Sequence, residues 1–342
     1  MPRVILCDDG GRWDEFVSSR SPHLYFRWRW REATRAMFGH DAPYLAAVDE
    51  QDRFTGVLPL VRLESRLFGR FAVSLPLVSY GGLLADSRAA RYGLVAACED
   101  YVRDARLAHV LLRNATDVSP ASWALQGNKV IMRLQLPAQA DELWRAIGSK
   151  RRAQIKRPKK EGAHVRIGHS ELLEDFYRVF ARNMRDLGTP VQSRRFFRAI
   201  LEAFPDETHL VVTYLGDRPA AAAFLVRHGS EMEIPWASSL REFNRFGVNM
   251  LLYWEVLAFS IGQGATSFDF GRSSRDSNTQ RFKAQWGATP SPTHWCSWTP
   301  DGAEAPSLSP ENSSFSLAIA AWQRLPVPVA NLIGPRVVRY LP

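Results

Sequence analysis

The chain has 342 residues, more than one domain usually holds, so two domains are expected. Hydrophobic residues make up 46% and aromatic residues 11%, which excludes a globally disordered chain. Lys and Arg number 44 against 35 Asp and Glu, and the net charge of +9 suits an anionic partner: a phosphorylated substrate, a nucleic acid or a membrane surface.

The predicted elements of the first half run in chain order as a helix near 24–38, strands near 43–48, 54–63 and 71–79, a helix near 87–105, and strands near 108–113 and 129–136. The second half opens with a helix carrying Leu172, Phe176, Val179, Phe180, Met184 and Leu187 at helical spacing, stopped by Gly188 and Pro190. Ser193 is placed to cap a second helix with Phe196, Phe197, Ile200 and Leu201 on its apolar face. Strand-like runs 209–215, 220–228 and 231–238 follow, separated by Gly216-Asp217 and Gly229-Ser230, so they read as an antiparallel meander. A helix over 248–261, a strand at 266–270, a short basic helix and a last strand near 292–298 complete the half.

The two halves therefore share one order, and a short echo accompanies it: Asp52-Arg53 with Leu60-Val61-Arg62, against Asp217-Arg218 with Leu225-Val226-Arg227. The order resembles that of N-acyltransferases of the GNAT type. The expected architecture is α/β (α+β): two tandem GNAT-like domains, each a mixed, mostly antiparallel sheet flanked by helices. The boundaries expected are 1–145, 146–300 carrying the chemistry, and a C-terminal extension 301–342. Two copies side by side would frame a cleft, where strand ends and helix N-termini meet.

Chemistry concentrates in FDFGRSSRDSNTQRFKAQWGATP, residues 268–290. A strand ends at Gly271, and Ser277 with Gln280 fits a capping box that starts a helix at Asn278. Phe282 and Trp286 share the buried face, Lys283 projects from a neighbouring face, and Gly287 closes the helix. Arg272, Arg275 and Lys283 then surround one turn that suits a phosphate or a developing oxyanion, the plain alternative being a solvated basic loop. A second basic block, SKRRAQIKRPKKEG, holds seven Lys or Arg in the eleven residues from Lys150 to Lys160, and reads as a grip for an anionic ligand or as a solvated helix face or linker. Tyr80-Gly81-Gly82 at a strand end offers close backbone approach to a ligand, or is a plain glycine turn. General-base candidates are Glu233, Asp269 and His294; strand alternation favours an outward Glu233, and Arg272 is the expected partner of Asp269.

Cys7, Cys98 and Cys296 are odd in number and far apart, which fits a reduced cytoplasmic protein, and no metal pattern, Walker loop or nucleophile elbow is present. The N-terminus lacks the apolar core of a signal peptide, so export is not expected. No stretch reaches the ~20 apolar residues of a membrane span. The most apolar, Phe315 to Tyr340, is broken by Gln323, Arg324, Pro326, Pro328 and Pro335; it is expected to lie on a membrane surface or on the protein itself. A location at the inner face of the membrane stays open.

The blocks VLPLVRLESRLFGRFAVSLPLVSYGGLLAD, SKRRAQIKRPKKEG, FYRVFARNMRDLGTPV, IPWASSLREFNRFGVNMLLYWEVL, FDFGRSSRDSNTQRFKAQWGATP and WQRLPVPVANLIGP together resemble the FemAB family, in particular the branch associated with XrtA/PEP-CTERM exosortase systems. The resemblance implies tandem GNAT-like domains and transfer of an amino acid from aminoacyl-tRNA to an amine of a peptidoglycan precursor. The exosortase context would point to exopolysaccharide or envelope assembly instead. A family motif F-K-x-x-[FW]-G matches Phe282-Lys283 with Trp286-Gly287, and its lysine is implied to steady developing charge. The resemblance also implies Arg151, Arg152 and Lys156 as phosphate or glycan contacts; the full set of candidates is Lys283, Phe282, Arg272 and Glu233 for catalysis, with Arg151, Arg152, Lys156, Tyr80, Gly81, Asp269, Trp236 and Asn249 contacting substrate. Two features depart from the pattern: the helical hairpin insertion of some family ligases is missing, and Gly247 is the lone glycine where a GNAT pyrophosphate loop carries two. No permanently bound cofactor is expected. The donor is left between acyl-CoA and aminoacyl-tRNA, the acceptor is a phosphorylated or glycan substrate, and a non-catalytic protein that holds an anionic glycan or nucleic acid at the membrane is the alternative.

Overall fold

The computed structural model describes residues 2–306 and 316–341, apart from 67, 118, 119, 121 and 128. The chain forms two compact units: Met1–Lys129 with Pro292–Ser309 and Arg339–Pro342, and Val130–Ser291 with Pro310–Val338. Part of the expected C-terminal extension, 307–315, lies outside the described residues.

In the first unit the strands Arg3–Leu6, Tyr44–Val48, Phe54–Pro59 and Leu84–Ala85 make a four-stranded sheet in that order. A five-stranded sheet runs Val61–Ser65, Gly69–Val73, Val110–Asn114, His294–Trp298, Ala124–Leu125. The helix Arg88–Asp104 is capped by Ser87, whose side chain accepts from Ala90 N. It buries Ala90, Leu94, Cys98 and Val102 among Leu45, Leu58, Leu112 and Cys296, a shared core for both sheets. All three cysteines are buried and free.

The second unit is built on one seven-stranded sheet, ordered Ala163–Gly168, Thr208–Leu215, Arg218–His228, Glu231–Ser239, Ser267–Ser274, Lys129–Gln135, Thr289–Pro292. The meander expected from the glycine turns is present and antiparallel, with Gly216 and Gly229 at φ +57° and +61°. The helices Leu173–Leu187 and Arg194–Ala203 end and begin where the sequence places them: Gly188 is left-handed at φ 78°, and the Ser193 side chain accepts from Phe196 N. Their apolar faces meet the sheet in an aromatic cluster of Phe176, Phe180, Phe196, Phe197, Phe224 and Trp236, with ring centroids 5.0 Å apart for Phe176–Phe197 and 5.2 Å for Phe197–Trp236. Each such ring taken out of water stabilises by roughly 1.5–3 kcal/mol.

The repeated order has a structural counterpart. In each unit the last meander strand pairs in parallel with the strand that follows a helix: Gly69–Val73 with Val110–Asn114, and Glu231–Ser239 with Ser267–Ser274. Asp52 and Asp217 both stand at the turn before the second meander strand. At Leu60 the first copy breaks into two strands of different sheets. At Leu225 the second copy continues as one strand through a register shift between Phe224 and Val226.

The chain departs from the expected cut at residue 145 in one respect. Lys129–Gln135 lies beside Ser267–Ser274 in the second unit's sheet, with Leu136 N donating to Thr266 O at 2.9 Å. His294–Trp298 lies beside Val110–Asn114 in the first. The seven-stranded and the five-stranded sheets thus each take in a strand from the other half of the sequence. An apolar strand must pair its backbone groups once buried, and its own pattern does not say with which neighbour.

Candidate functional site

The parallel register between Glu231–Ser239 and Ser267–Ser274 spans Glu231↔Ser267, Met232↔Phe268 and Glu233↔Asp269. Two carboxylates therefore stand opposite each other at its last pair. Just beyond it Gly271 takes φ +72°, and the strand continues to Ser274 instead of ending at residue 270. The helix Asn278–Ala284 then starts at the expected cap: the Ser277 side chain accepts from Gln280 N, while Gln280 Oε1 accepts from Asp276 N at 2.6 Å, one residue before the N–H that a capping box would use.

Lys283 is the centre of the site, and its placement corrects one expectation. It does not project from a side face; it is more buried than Phe282, at 5% exposure. Its Nζ donates to Gly271 O at 3.0 Å and to Arg272 O at 2.8 Å. An ammonium carries three hydrogens, so the third has no acceptor among the described residues. Burial lowers this lysine to about 8; the Asp269 charge opposes that shift and the Arg272 charge adds to it. Trp286, at the end of the same short helix, is likewise buried with Nε1 lacking an acceptor among the described residues. The third hydrogen of the ammonium and the indole N–H are two donors that a ligand oxygen would suit. Phe282 meets Tyr253 edge-on at 5.0 Å, and Tyr253 stacks near Phe270 at 5.9 Å, so an aromatic wall flanks the lysine. Burial raises the Tyr253 hydroxyl to about 12, which keeps it a neutral donor.

Around the lysine lies a buried ionic frame that local sequence did not reveal. Asp269 is fully buried; its Oδ1 accepts from Gly271 N at 2.6 Å and its Oδ2 is 3.7 Å from Arg133 Nη2. Arg133 is thus a cation that its side chain faces. Arg133 Nε also reaches Glu231 Oε2 at 3.1 Å, where Ser267 Oγ donates at 3.3 Å. Burial pushes Glu231 above the usual carboxylate range despite Arg133. Glu233 points inward, against the expectation from alternation, because three successive residues, 232–234, are buried in a sheet with covered faces. Its Oε2 is 2.8 Å from His228 Nε2. Burial lowers His228 to about 4, so the ring is neutral near pH 7. Arg133, His228, Glu231 and Tyr253 were missed: Arg133 arrives on the exchanged strand, and the others carry no local signature.

The basic block is a helix, Gly148–Lys160, and not a linker. Ile155 and Pro158 form its buried side; Arg151 Nη1 donates to Ile147 O at 3.1 Å, Arg152 Nη1 to Arg145 O at 3.1 Å, and Lys156 Nζ lies 5.8 Å from the Trp144 ring centroid. Lys159 pairs with Glu255 at 2.7 Å on the helix Val248–Gly262. The N-terminus of that helix abuts the basic one, since a Cβ on Gly247 would stand 3.5 Å from Gln154 O. Gly247 is left-handed at φ 77°, and Asn249 is half-buried in the first turn behind it. Helix N–H groups and a basic helix side by side are suited to an anion.

Other candidates are placed in packing roles. Trp236 belongs to the aromatic cluster, 7% exposed. Tyr80, in the first unit, is buried and stacked on His23 at 4.4 Å. The close approach at Gly81-Gly82 is to the chain itself: both N–H groups donate to Arg113 O at 3.0 Å, and a Cβ on Gly82 would be 2.7 Å from Asn114 Cα. His294 lies half-buried in the first unit's sheet. Arg272 and Arg275 expose their side chains. Among the described residues no group of three or more His, Cys, Asp or Glu could hold a metal ion.

Residues 149–284 match the acetyltransferase (GNAT) domain family. The fold is that of tandem GNAT-domain proteins. FemX superposes with a TM-score of 0.64 at 15% identity, covering 87% of this chain and 97% of its own. The C-terminal domain of a putative lysylphosphatidylglycerol synthetase from Agrobacterium fabrum gives 0.58 at 14%, covering 85% and 92%. A tandem GNAT protein from the clavulanic acid biosynthesis pathway gives 0.56 at 11%, covering 90% and 100%. No curated protein sequence matches the chain.

Proposed function

We propose that the protein is a FemAB-like N-acyl or aminoacyl transferase that acylates an amine on a cell-envelope or exopolysaccharide precursor, with the chemistry in the second unit. The observation that carries this reading is the buried Lys283 ammonium, fixed by two carbonyls and left with one donor, three residues before a Trp286 whose indole N–H lacks an acceptor among the described residues. The acceptor amine attacks the acyl carbon, a C–N bond forms, and the carbonyl electron pair moves onto oxygen. Lys283 steadies that oxyanion; collapse expels the thiolate of acyl-CoA or the ribose oxygen of aminoacyl-tRNA, and the amine's proton leaves with it. Donor phosphates suit the Gly247–Asn249 turn and the flanking Arg151, Arg152 and Lys156. Glu233 and Asp269 are bound within the ionic frame, so in this reading they hold Lys283 in place and do not take the proton. The FemX and lysylphosphatidylglycerol synthetase neighbours support an amino-acid donor and an envelope acceptor, and the motif likeness to the exosortase-associated branch favours a polysaccharide one.

The test offers labelled acyl-CoA and charged tRNA with amine-bearing sugars and lipids to the wild type and to Lys283→Ala. Turnover from one donor, reduced about 10²–10³-fold in a folded variant, is expected. Full turnover in Lys283→Ala removes the lysine from the chemistry. No transfer from either donor, with steeply salt-dependent binding of glycan or RNA, favours a binding protein instead.

A further inference from the structure

The C-terminal helices of the second unit, Ser316–Gln323 and Val327–Val338, are apolar on the side that faces solvent as well as on the side that faces protein. Their inner side is fixed at close approach. A Cβ on Gly334 would stand 2.9 Å from Val191 N, and one on Gly188 would stand 3.1 Å from Ile319 O. Arg185 Nη1 donates to Leu325 O at 3.0 Å in the turn between the helices. With the roll locked in this way, Ala330, Gly334 and Val338 face inward, while Pro328, Val329, Leu332, Ile333 and Arg336 form the outer stripe. Leu332 is 63% exposed, and Leu317 on the preceding helix is 85% exposed. Isolated exposed leucines are ordinary, but a contiguous apolar stripe on a rigidly held helix calls for an apolar phase to cover it.

Charge identifies that phase. Residues 316–341 contain Arg324, Arg336 and Arg339 and no Asp or Glu. Arg324 and Arg336 are exposed at the ends of the stripe. An apolar stripe whose own helices carry only cations matches the boundary between acyl chains and anionic headgroups. Twelve residues of helix measure about 18 Å, short of the ~30 Å hydrocarbon core, and no helix among the described residues is long and apolar enough to cross a membrane. We propose that this face docks the second unit in the plane of an anionic phospholipid surface, with Leu317, Val329, Leu332 and Ile333 entering the acyl boundary and Arg324 and Arg336 meeting phosphates. The proposal rests on the surface alone and stands whether or not the transfer reading does.

The experiment is co-sedimentation of the full chain with vesicles of phosphatidylcholine, and of phosphatidylcholine mixed with phosphatidylglycerol. The wild type is expected to bind the mixed vesicles and to release as salt rises. Leu332→Ser/Ile333→Ser should bind at least tenfold more weakly, since each such side chain leaving water is worth roughly tenfold. Arg324→Gln/Arg336→Gln should lose roughly 30-fold on mixed vesicles, about fivefold to sixfold per arginine, and little on the neutral ones. Both pairs are exposed, and an unchanged circular dichroism melt confirms that the fold is kept. The proposal is overturned if the wild type ignores mixed vesicles, or if the serine pair binds them as well as wild type. It is also overturned if sedimentation velocity shows a dimer that the serine pair abolishes, which would give the face to a second copy.

Discussion

Replacing Lys283 by Met keeps the buried stem and removes the ammonium, and its clearest consequence is a change in how stability depends on pH. In the unfolded chain a lysine holds its proton to about 10.5, whereas burial lowers Lys283 to about 8 in the fold. Between those values the unfolded state binds more protons than the folded one, so stability rises with pH across the window. Below pH 8 the buried charge costs roughly 3 kcal/mol, at 1.36 kcal/mol per unit of the shift. Raising pH from 7 to 9.5 should therefore recover about 2 kcal/mol in the wild type. Lys283→Met cannot make this gain. Its stability at pH 7 is less informative, because relief of desolvation is offset by leaving the carbonyls of Gly271 and Arg272 unpaired, at about 1–3 kcal/mol each. The assay is urea unfolding at both pH values, read by a hydrogen-exchange pulse at fixed pH on peptides covering 267–286, so that the signal comes from the second unit. Equal pH responses in the two proteins would mean that the ammonium is solvated in the fold, and the reasoning about its third donor would fail.

Asp269→Asn retains an acceptor for Gly271 N but removes the charge that holds Lys283 up, so the stability rise should begin below pH 8; an unchanged onset in the same urea series counts against the pairing. On the acid side His228 is neutral in the fold and titrates at about 4, so stability should fall as pH drops from 6.5 towards 4; His228→Gln, which can still donate to Glu233, should flatten part of that fall in acid unfolding curves. Gly82→Ala presses a methyl against the Asn114 backbone and should cost about 1–3 kcal/mol, seen as a lower urea midpoint for the first unit at unchanged slope.

Much of the second unit is legible in local sequence because its signals are strong and redundant. Ser193, Gly188, Ser277, Gly216 and Gly229 each mark an element boundary by backbone chemistry that does not depend on the rest of the fold. The site is legible only in part. FKAQWG announces Lys283 and Trp286, but burial of the lysine follows from Gly271, which carries the strand onward so that its carbonyls at 271 and 272 meet the ammonium. Alternation fails at Glu233 because helices cover the sheet, and a covered sheet removes the polar face on which a period of two depends. At Tyr80, Gly81 and Trp236 the sequence left two readings open, since glycine and aromatic residues fit tight packing and ligand approach equally well, and the structure shows the packing.

Composition, turn chemistry and hydrophobic period by themselves determined that this chain folds as a repeated order of helices and mostly antiparallel strands, with two local concentrations of cations. Tertiary structure alone decided that Lys129–Gln135 and His294–Trp298 complete the sheets of the opposite halves, and so that Arg133 faces Asp269. The reason is physical: hydrophobic pattern and propensity act over a few residues, whereas a strand's choice of neighbour is set by which backbone edge remains unpaired once the rest of the sheet has formed.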